Sequence, residues 1–222
     1  MPAVADLVAA RAVERAAMIE RTIIRRGVAD PRVLAAMLAV PREIFVRPGN
    51  EDRAYADYAL PILAGQTISQ PYIVAWMIEQ ARIVPGAKVL EIGTGSGYAA
   101  AVLAQVAGSV YSIERHGKLA RQAAERIQRL GGANVQIRHG DGTQGWAEQA
   151  PFDAILVAAA SPAIPAPLLA QLAIGGTLVM PVGAGVFHQH LVRWTRTGLD
   201  AFDQARLGAV AFVPLIEGAI VP

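Results

Sequence analysis

The 222-residue sequence contains no cysteine. That absence excludes disulfides, thiolate-bound metals and a cysteine nucleophile, and it is compatible with a reducing, cytoplasmic setting. Charge is also scarce: Asp, Glu, Lys and Arg make up 17% of the chain, whereas 54% is hydrophobic, a balance too apolar for a disordered protein. The net charge of +2 comes from scattered basic residues, so an ordinary mixed surface is expected and a nucleic-acid partner is not. Long hydrophobic helices are missing too. No charged residue occurs from Ala154 to Val192, yet Pro162, Pro165, Pro167, Gly175, Gly176 and Pro181 interrupt that stretch, leaving no apolar run of about 20 residues to span a bilayer. The opening residues interleave acidic and basic side chains, unlike the apolar region of a signal peptide.

What is present reads as one α/β domain over residues 1–222. Residues 1–84 are expected to hold N-terminal helices and a substrate or cofactor loop, and residues 85–222 a Rossmann-like core with C-terminal edge strands. Val13, Ala16, Ala17, Ile23 and Ile24 recur at helical spacing over residues 10–26, and "DPRVLAAMLAV" predicts a second helix ending before Pro41. "PREIFVRPGNEDRAYADYALPI" reads as a packed loop. Pro71 then starts a helix at the position where its missing N–H costs nothing. From Ala87 onward short apolar runs alternate with helical segments: "KVLEI", "VYSIE", "VQIRH", "FDAILVAAA" and "GGTLVMPV" as strands, with helices between. That alternation predicts a mostly parallel sheet with helices on both faces and ligands at the carboxyl ends of the strands. "HQHLVRWTR" and "GAVAFVPLI" are expected as further strands at one edge.

"VLEIGTGSGYAAAVLA" is a strand, a glycine turn and a helix start, a place where backbone can approach a ligand closely. Tyr98 stands where the dinucleotide fingerprint wants its third glycine, and the lysine of a P-loop is absent, so an NAD oxidoreductase is disfavoured. Glu114 follows Gly93 by about twenty residues, at the end of the next strand, where a carboxylate accepts from ribose hydroxyls. Asp141 and Gly142 lie at the third strand end, suited to an adenine ring. Each has an ordinary structural alternative, but three consecutive strand ends in order point to an adenosyl ligand.

These motifs resemble those of class I S-adenosylmethionine-dependent methyltransferases. The wider set, "VPREIFV", "AYADYALPI", "GQTISQPYIVAWM", "VLEIGTGSGY", "VYSIER", "HGDG", "FDAILV", "GGTLVMPVG" and "FVPL", is similar to the protein-L-isoaspartate (D-aspartate) O-methyltransferase family. The resemblance implies S-adenosyl-L-methionine as cofactor, contacted by Thr67, Ile68, Gly93, Thr94, Gly95, Glu114, Arg115, Asp141 and Gly142. It implies isoaspartyl peptides and proteins as partners, Ser69 as the catalytic and substrate-orienting residue, and Phe212, Val213 and Pro214 along the peptide groove; the oligomeric state is left open, with a monomer favoured. The methyl ester formed would collapse spontaneously to succinimide, permitting repair.

Chemistry agrees with that implication. A hydroxyl-rich loop just before a helix N-terminus favours a carboxylate, and a carboxylate, ionised at neutral pH, needs no general base to attack a methyl group. The ordinary alternative for Ser69 is a helix cap. His188 and His190 alternate on a strand, but with no third ligand nearby a metal site is not expected. Trp76, Trp146 and Trp194 read as core packing. One rival reading is a methyltransferase of the same fold with another substrate; Leu63, where relatives usually carry Gly, motivates a second, a silent relative that binds altered proteins.

Overall fold

The computed structural model describes residues 4–185, 188–218 and 220–221. Its chain order is α1 (Val4–Ala9), α2 (Ala12–Met18), α3 (Pro31–Ala39), β1 (Leu60–Pro61), β2 (Thr67–Ile68), α4 (Pro71–Gln80), β3 (Lys88–Ile92), α5 (Tyr98–Val106), β4 (Ser109–Glu114), α6 (Gly117–Arg129), β5 (Val135–His139), β6 (Phe152–Val157), α7 (Ala166–Ala170), β7 (Leu172–Val182), β8 (Gln189–Arg196) and β9 (Phe202–Val210). Among the described residues no helix is long and apolar enough to cross a membrane.

The main sheet has the order β5-β4-β3-β6-β7-β8-β9. Pairing is parallel from β5 through β7 and antiparallel for β7/β8 and β8/β9. Strand order reverses beside β3, so β3, β4 and β6 deliver their carboxyl ends to one crevice, the usual ligand position in such sheets. Strict alternation sorts the side chains onto two faces. Val89, Val110, Ala154 and Leu156 join a cluster with Ala75 and Ile78 of α4 and Val102 and Leu103 of α5. Leu90, Ile113, Ile155 and Val157 pack on the other face with Leu168 of α7. The first cluster also takes in Met18, Ile23, Met37 and Phe45, so the N-terminal segment closes over the same core as the sheet.

Three boundaries differ from the sequence-based expectation. The helix expected over residues 10–26 is broken where Arg11 takes φ 51, and after Met18 it widens into a π turn over Ile19–Ile23 and tightens into a 3-10 turn ending at Gly27. Its buried face is Arg15, Met18, Ile19 and Ile23, whereas Val13 is 82% exposed. The last helix stops at Ala170, because Leu172 is already paired with Phe152. The final strand is Phe202–Val210 rather than residues 208–216: the segment from Ala211 leaves the sheet edge and runs over the crevice, touching the core sheet at an Ala160–Pro214 bridge.

Candidate functional site

The crevice is a cavity of about 670 Å³, within the usual range for small-molecule sites. Thr67, Ile68, Ser69, Gly93, Thr94, Gly95, Glu114, Arg115, Gly142, Phe212, Val213 and Pro214 all line it. Five separate stretches of chain thus meet at one place: the hydroxyl-rich loop, the glycine turn, the end of β4, the turn after β5 and the segment after β9. Asp141 is the exception, lying behind the wall.

The glycine turn is held from below. Gly93 N–H donates to the Ile113 carbonyl at 2.8 Å. Gly95, at φ 55, turns its N–H onto Glu114 Oε2 at 2.8 Å, while His116 N–H donates to Glu114 Oε1 at 2.9 Å. Glu114 is only 4% exposed, yet each carboxylate oxygen keeps a second acceptor position facing the cavity it lines. Thr94 and Ser112 share a hydroxyl–hydroxyl hydrogen bond of 2.5 Å, and Ser112 donates on to Glu91 Oε2. Burial pushes the Glu91 carboxyl up to about 8; Ser112 opposes that rise and the Glu114 charge adds to it. A neutral acid therefore anchors the chain that fixes Thr94.

Asp141 does its visible work on backbone. Its Oδ1 accepts from Thr143 N–H (2.9 Å) and Oγ1 (2.8 Å), and its Oδ2 accepts from Gly218 N–H at 2.8 Å. Burial raises its pKa, but these hydrogen bonds outweigh it and hold the carboxyl below its ordinary value. Gly142 is a steric requirement: a Cβ there would lie 2.2 Å from Ile92 Cγ2. The backbone after the third strand can thus pack against Ile92, at the end of β3, only because this residue has no side chain. Gly142 and Glu114 line the same cavity, and a glycine beside a carboxylate with free acceptor positions is a set that fits an adenosyl group.

The facing wall is hydroxylic. Thr67 and Ile68 pair with Pro61 and Leu60 in a two-strand ladder, which presents Ser69 just ahead of α4. Gln70 is the N-cap of that helix and no side chain caps it, so Ser69 is not a capping serine; it is a residue of the cavity lining. Gln70 Nε2 donates to Asp57 Oδ2 at 2.7 Å and to the Asp57 carbonyl at 3.0 Å, and Arg26 pairs with the same Asp57 oxygen at 2.9 Å. Leu63 packs against the main core and is absent from the cavity lining.

Across the opening, the segment after β9 is tied down on both sides. Ala160 N–H donates to the Val213 carbonyl (2.8 Å) and Leu215 N–H to the Ala160 carbonyl (2.7 Å). The Gln189 amide grips Phe212 twice, accepting its N–H at 2.7 Å and donating to its carbonyl at 3.1 Å. Sequence reading missed Gln189, Arg26 and Asp57. An amide at the start of a largely buried strand was the available signal for Gln189; the other two sit in stretches without periodicity. His190 hydrogen-bonds Arg206 on the neighbouring strand. Trp76 stacks on Tyr72 with centroids 5.7 Å apart, and Trp146 meets the edge of Tyr111 at 5.4 Å.

Comparison with known proteins converges on one family. The model of the protein-L-isoaspartate(D-aspartate) O-methyltransferase (PCMT) family matches residues 13–219. The chain is 54% identical over 202 residues to protein-L-isoaspartate O-methyltransferase 2 of Pelobacter propionicus, covering 91% of this chain and 90% of that one. It is 56% identical over 215 residues to protein-L-isoaspartate O-methyltransferase 1 of Rhodopseudomonas palustris, covering 97% and 88% respectively. Among solved structures it superposes with a TM-score of 0.79 and 27% identity on a Plasmodium falciparum protein assigned to the same activity and crystallised with S-adenosyl-L-homocysteine, covering 92% of this chain and 99% of that one.

Proposed function

This chain belongs to the protein-L-isoaspartate(D-aspartate) O-methyltransferase family, and from that membership we propose how its cavity carries out methyl transfer to the free carboxylate of L-isoaspartyl residues in damaged proteins. S-adenosyl-L-methionine, when bound, supplies an electrophilic sulfonium methyl group. The residues that hold it are Glu114 for the ribose hydroxyls, Asp141 and Gly142 beside the adenine, and Gly93, Thr94, Gly95, Thr67, Ile68 and Arg115 around the remainder. Asp141 keeps one acceptor position beyond its three hydrogen bonds.

The observation that carries the reading is the placement of Ser69. Ser69 lines the same cavity as the glycine turn without serving as a helix cap, just ahead of α4, whose first-turn N–H groups favour an anion. Ser69 orients the acceptor carboxylate and activates nothing, because the ionised acid is already the nucleophile. Phe212, Val213 and Pro214 form the peptide side of the groove, held by Gln189 and Ala160. Rate comes from alignment and from excluding water around the acid. The ester product then closes to succinimide without the enzyme. The core shared by the N-terminal segment and the sheet supports reading residues 1–222 as one domain. The cysteine-free composition supports a cytoplasmic location.

Ser69→Ala tests the assignment. Affinity for S-adenosyl-L-homocysteine, measured by calorimetry, is expected to stay within about threefold, while kcat/KM for an isoaspartyl peptide falls by about tenfold to a hundredfold, the loss of one hydrogen bond to a charged group. Collapse of nucleoside affinity with peptide kinetics unchanged would assign Ser69 to the other ligand.

A further inference from the structure

Behind the Ser69 loop lies a cation that neither the sequence motifs nor the cavity lining singles out. Arg42, in the 3-10 turn Arg42–Phe45, is fully buried. Its Nε donates to the Ala54 carbonyl at 2.8 Å and its Nη2 to the Ser69 carbonyl at 2.7 Å. Its guanidinium carbon lies 4.7 Å from the ring centroid of Tyr98, and that ring lines the cavity. Nη1 is buried without a hydrogen-bond partner. Among the described residues no carboxylate is ion-paired with it. Asp57 is close enough to favour the charge; its Oδ2 is bound by Arg26 and Gln70 and its Oδ1 is buried without a partner, so one carboxylate is shared between two cations. Burial lowers the Arg42 pKa to about 10, which still leaves it protonated at neutral pH.

A buried charge without a counter-ion is costly to keep. Two carbonyl acceptors satisfy some of the N–H groups, and a carboxylate shared with Arg26 leaves the charge undercompensated. We propose that the counter-ion Arg42 lacks is the substrate carboxylate: Arg42 is a positioning residue that fixes the Ser69 backbone from behind and sets a positive potential at the acceptor site. The inference rests on the carboxyl-methylation reading given above and deepens it.

The sign of the effect follows from the reaction. The acceptor begins as an anion and ends as a neutral ester, so a fixed positive potential favours bound substrate over the transition state and over the product. Arg42 therefore lowers KM, does not raise kcat, and lets the ester leave. The exposed rival is Arg26, which lines the cavity mouth with its side chain 44% exposed and pairs with Asp57.

The test measures inhibition constants for two non-reacting competitors, an isoaspartyl peptide with S-adenosyl-L-homocysteine bound and its isoasparaginyl counterpart, in which the carboxylate is a carboxamide. Wild type, Arg42→Met and Arg42→Lys are compared, with nucleoside binding and thermal melting as controls for folding. Arg42→Met is expected to lose acid-over-amide preference by about ten- to thirtyfold, the scale of one charge acting across a residue's width in a partly screened interior, with kcat undiminished. Arg42→Lys keeps most of the preference. Equal weakening of acid and amide, or a fall in kcat at unchanged KM, would overturn the proposal and leave Arg42 a scaffold residue. Should Arg42→Met fail to fold, wild type supplies the answer: a buried charge keeps its preference within about twofold between roughly 0.05 and 0.5 M salt, whereas a steep fall assigns it to exposed Arg26 and overturns the proposal. Wild type that binds S-adenosyl-L-homocysteine yet methylates no isoaspartyl peptide would strike down the functional reading itself, and this inference with it.

Discussion

Replacing Glu91 with Gln removes an acid that the fold holds in its protonated form beneath the glycine turn. Glu91 is 2% exposed in β3, accepts from Ser112, and leaves Oε1 buried without a partner. Its pKa rises from 4.5 to about 8, mainly through burial. Because the folded-state value lies above the unfolded one, the contribution to stability is fully present below about pH 4.5 and is lost as pH rises through about 8. At about 1.4 kcal/mol per pH unit, wild type is penalised by roughly 3 kcal/mol at pH 7 and roughly 5 above pH 8. Glu91→Gln keeps the shape and a hydrogen-bond acceptor for Ser112 without that dependence. Urea unfolding followed by tryptophan fluorescence from about pH 4 to pH 9 is the assay. The gap between variant and wild type is expected to grow steadily in the variant's favour between about pH 5 and pH 8, then level off. Parallel profiles across the whole range would mean that Glu91 is ionised in the folded protein and that the neutral anchor for Thr94 does not exist.

Other substitutions separate the walls of the cavity. Gly142→Ala places a Cβ 2.2 Å from Ile92 Cγ2; calorimetry is expected to show affinity for S-adenosyl-L-homocysteine reduced at least tenfold, with stability down by about 1–3 kcal/mol for overpacking. Glu114→Ala strands the N–H groups of Gly95 and His116 as well as the ribose acceptors, so nucleoside affinity should drop by about a hundredfold; unchanged binding would remove the ribose assignment. Gln189→Leu frees Phe212 from its amide clamp, and hydrogen exchange over residues 211–215 is expected to quicken while peptide KM rises about tenfold and nucleoside binding holds. Equal loss of both ligands would show that the segment serves the whole cavity rather than the peptide side.

The central sheet was legible because its signals are local. In β3, β4 and β6 the apolar residues alternate between two buried faces, and Gly93 to Gly97 mark the turn where the first strand hands over to α5. Glu114 and Gly142 fall at strand ends that this pattern locates by itself. The edge is different. Phe202–Val210 carries Asp203, Gln204 and Arg206 on a half-exposed strand, so its hydrophobic pattern is thin, while Ala211–Leu215 looks strand-like because its apolar residues cover a cavity instead of a sheet. The N-terminal helix misled for a related reason: Arg15, a cation, occupies the buried face and Val13 does not. Arg42 and Asp57 gain meaning only from contacts across the chain, Arg42 with Ser69 and Asp57 with Gln70 and Arg26. No spacing rule reaches those pairs.

The central claim is that this cavity methylates the misplaced carboxylate of an isoaspartyl residue. Transfer of labelled methyl from S-adenosyl-L-methionine to a peptide with one L-isoaspartyl residue, beside the identical peptide with normal aspartate, tests it most directly. Base-labile label on the isoaspartyl peptide alone is the predicted result. Label on neither peptide by enzyme that binds S-adenosyl-L-homocysteine, or equal label on both, would contradict the account.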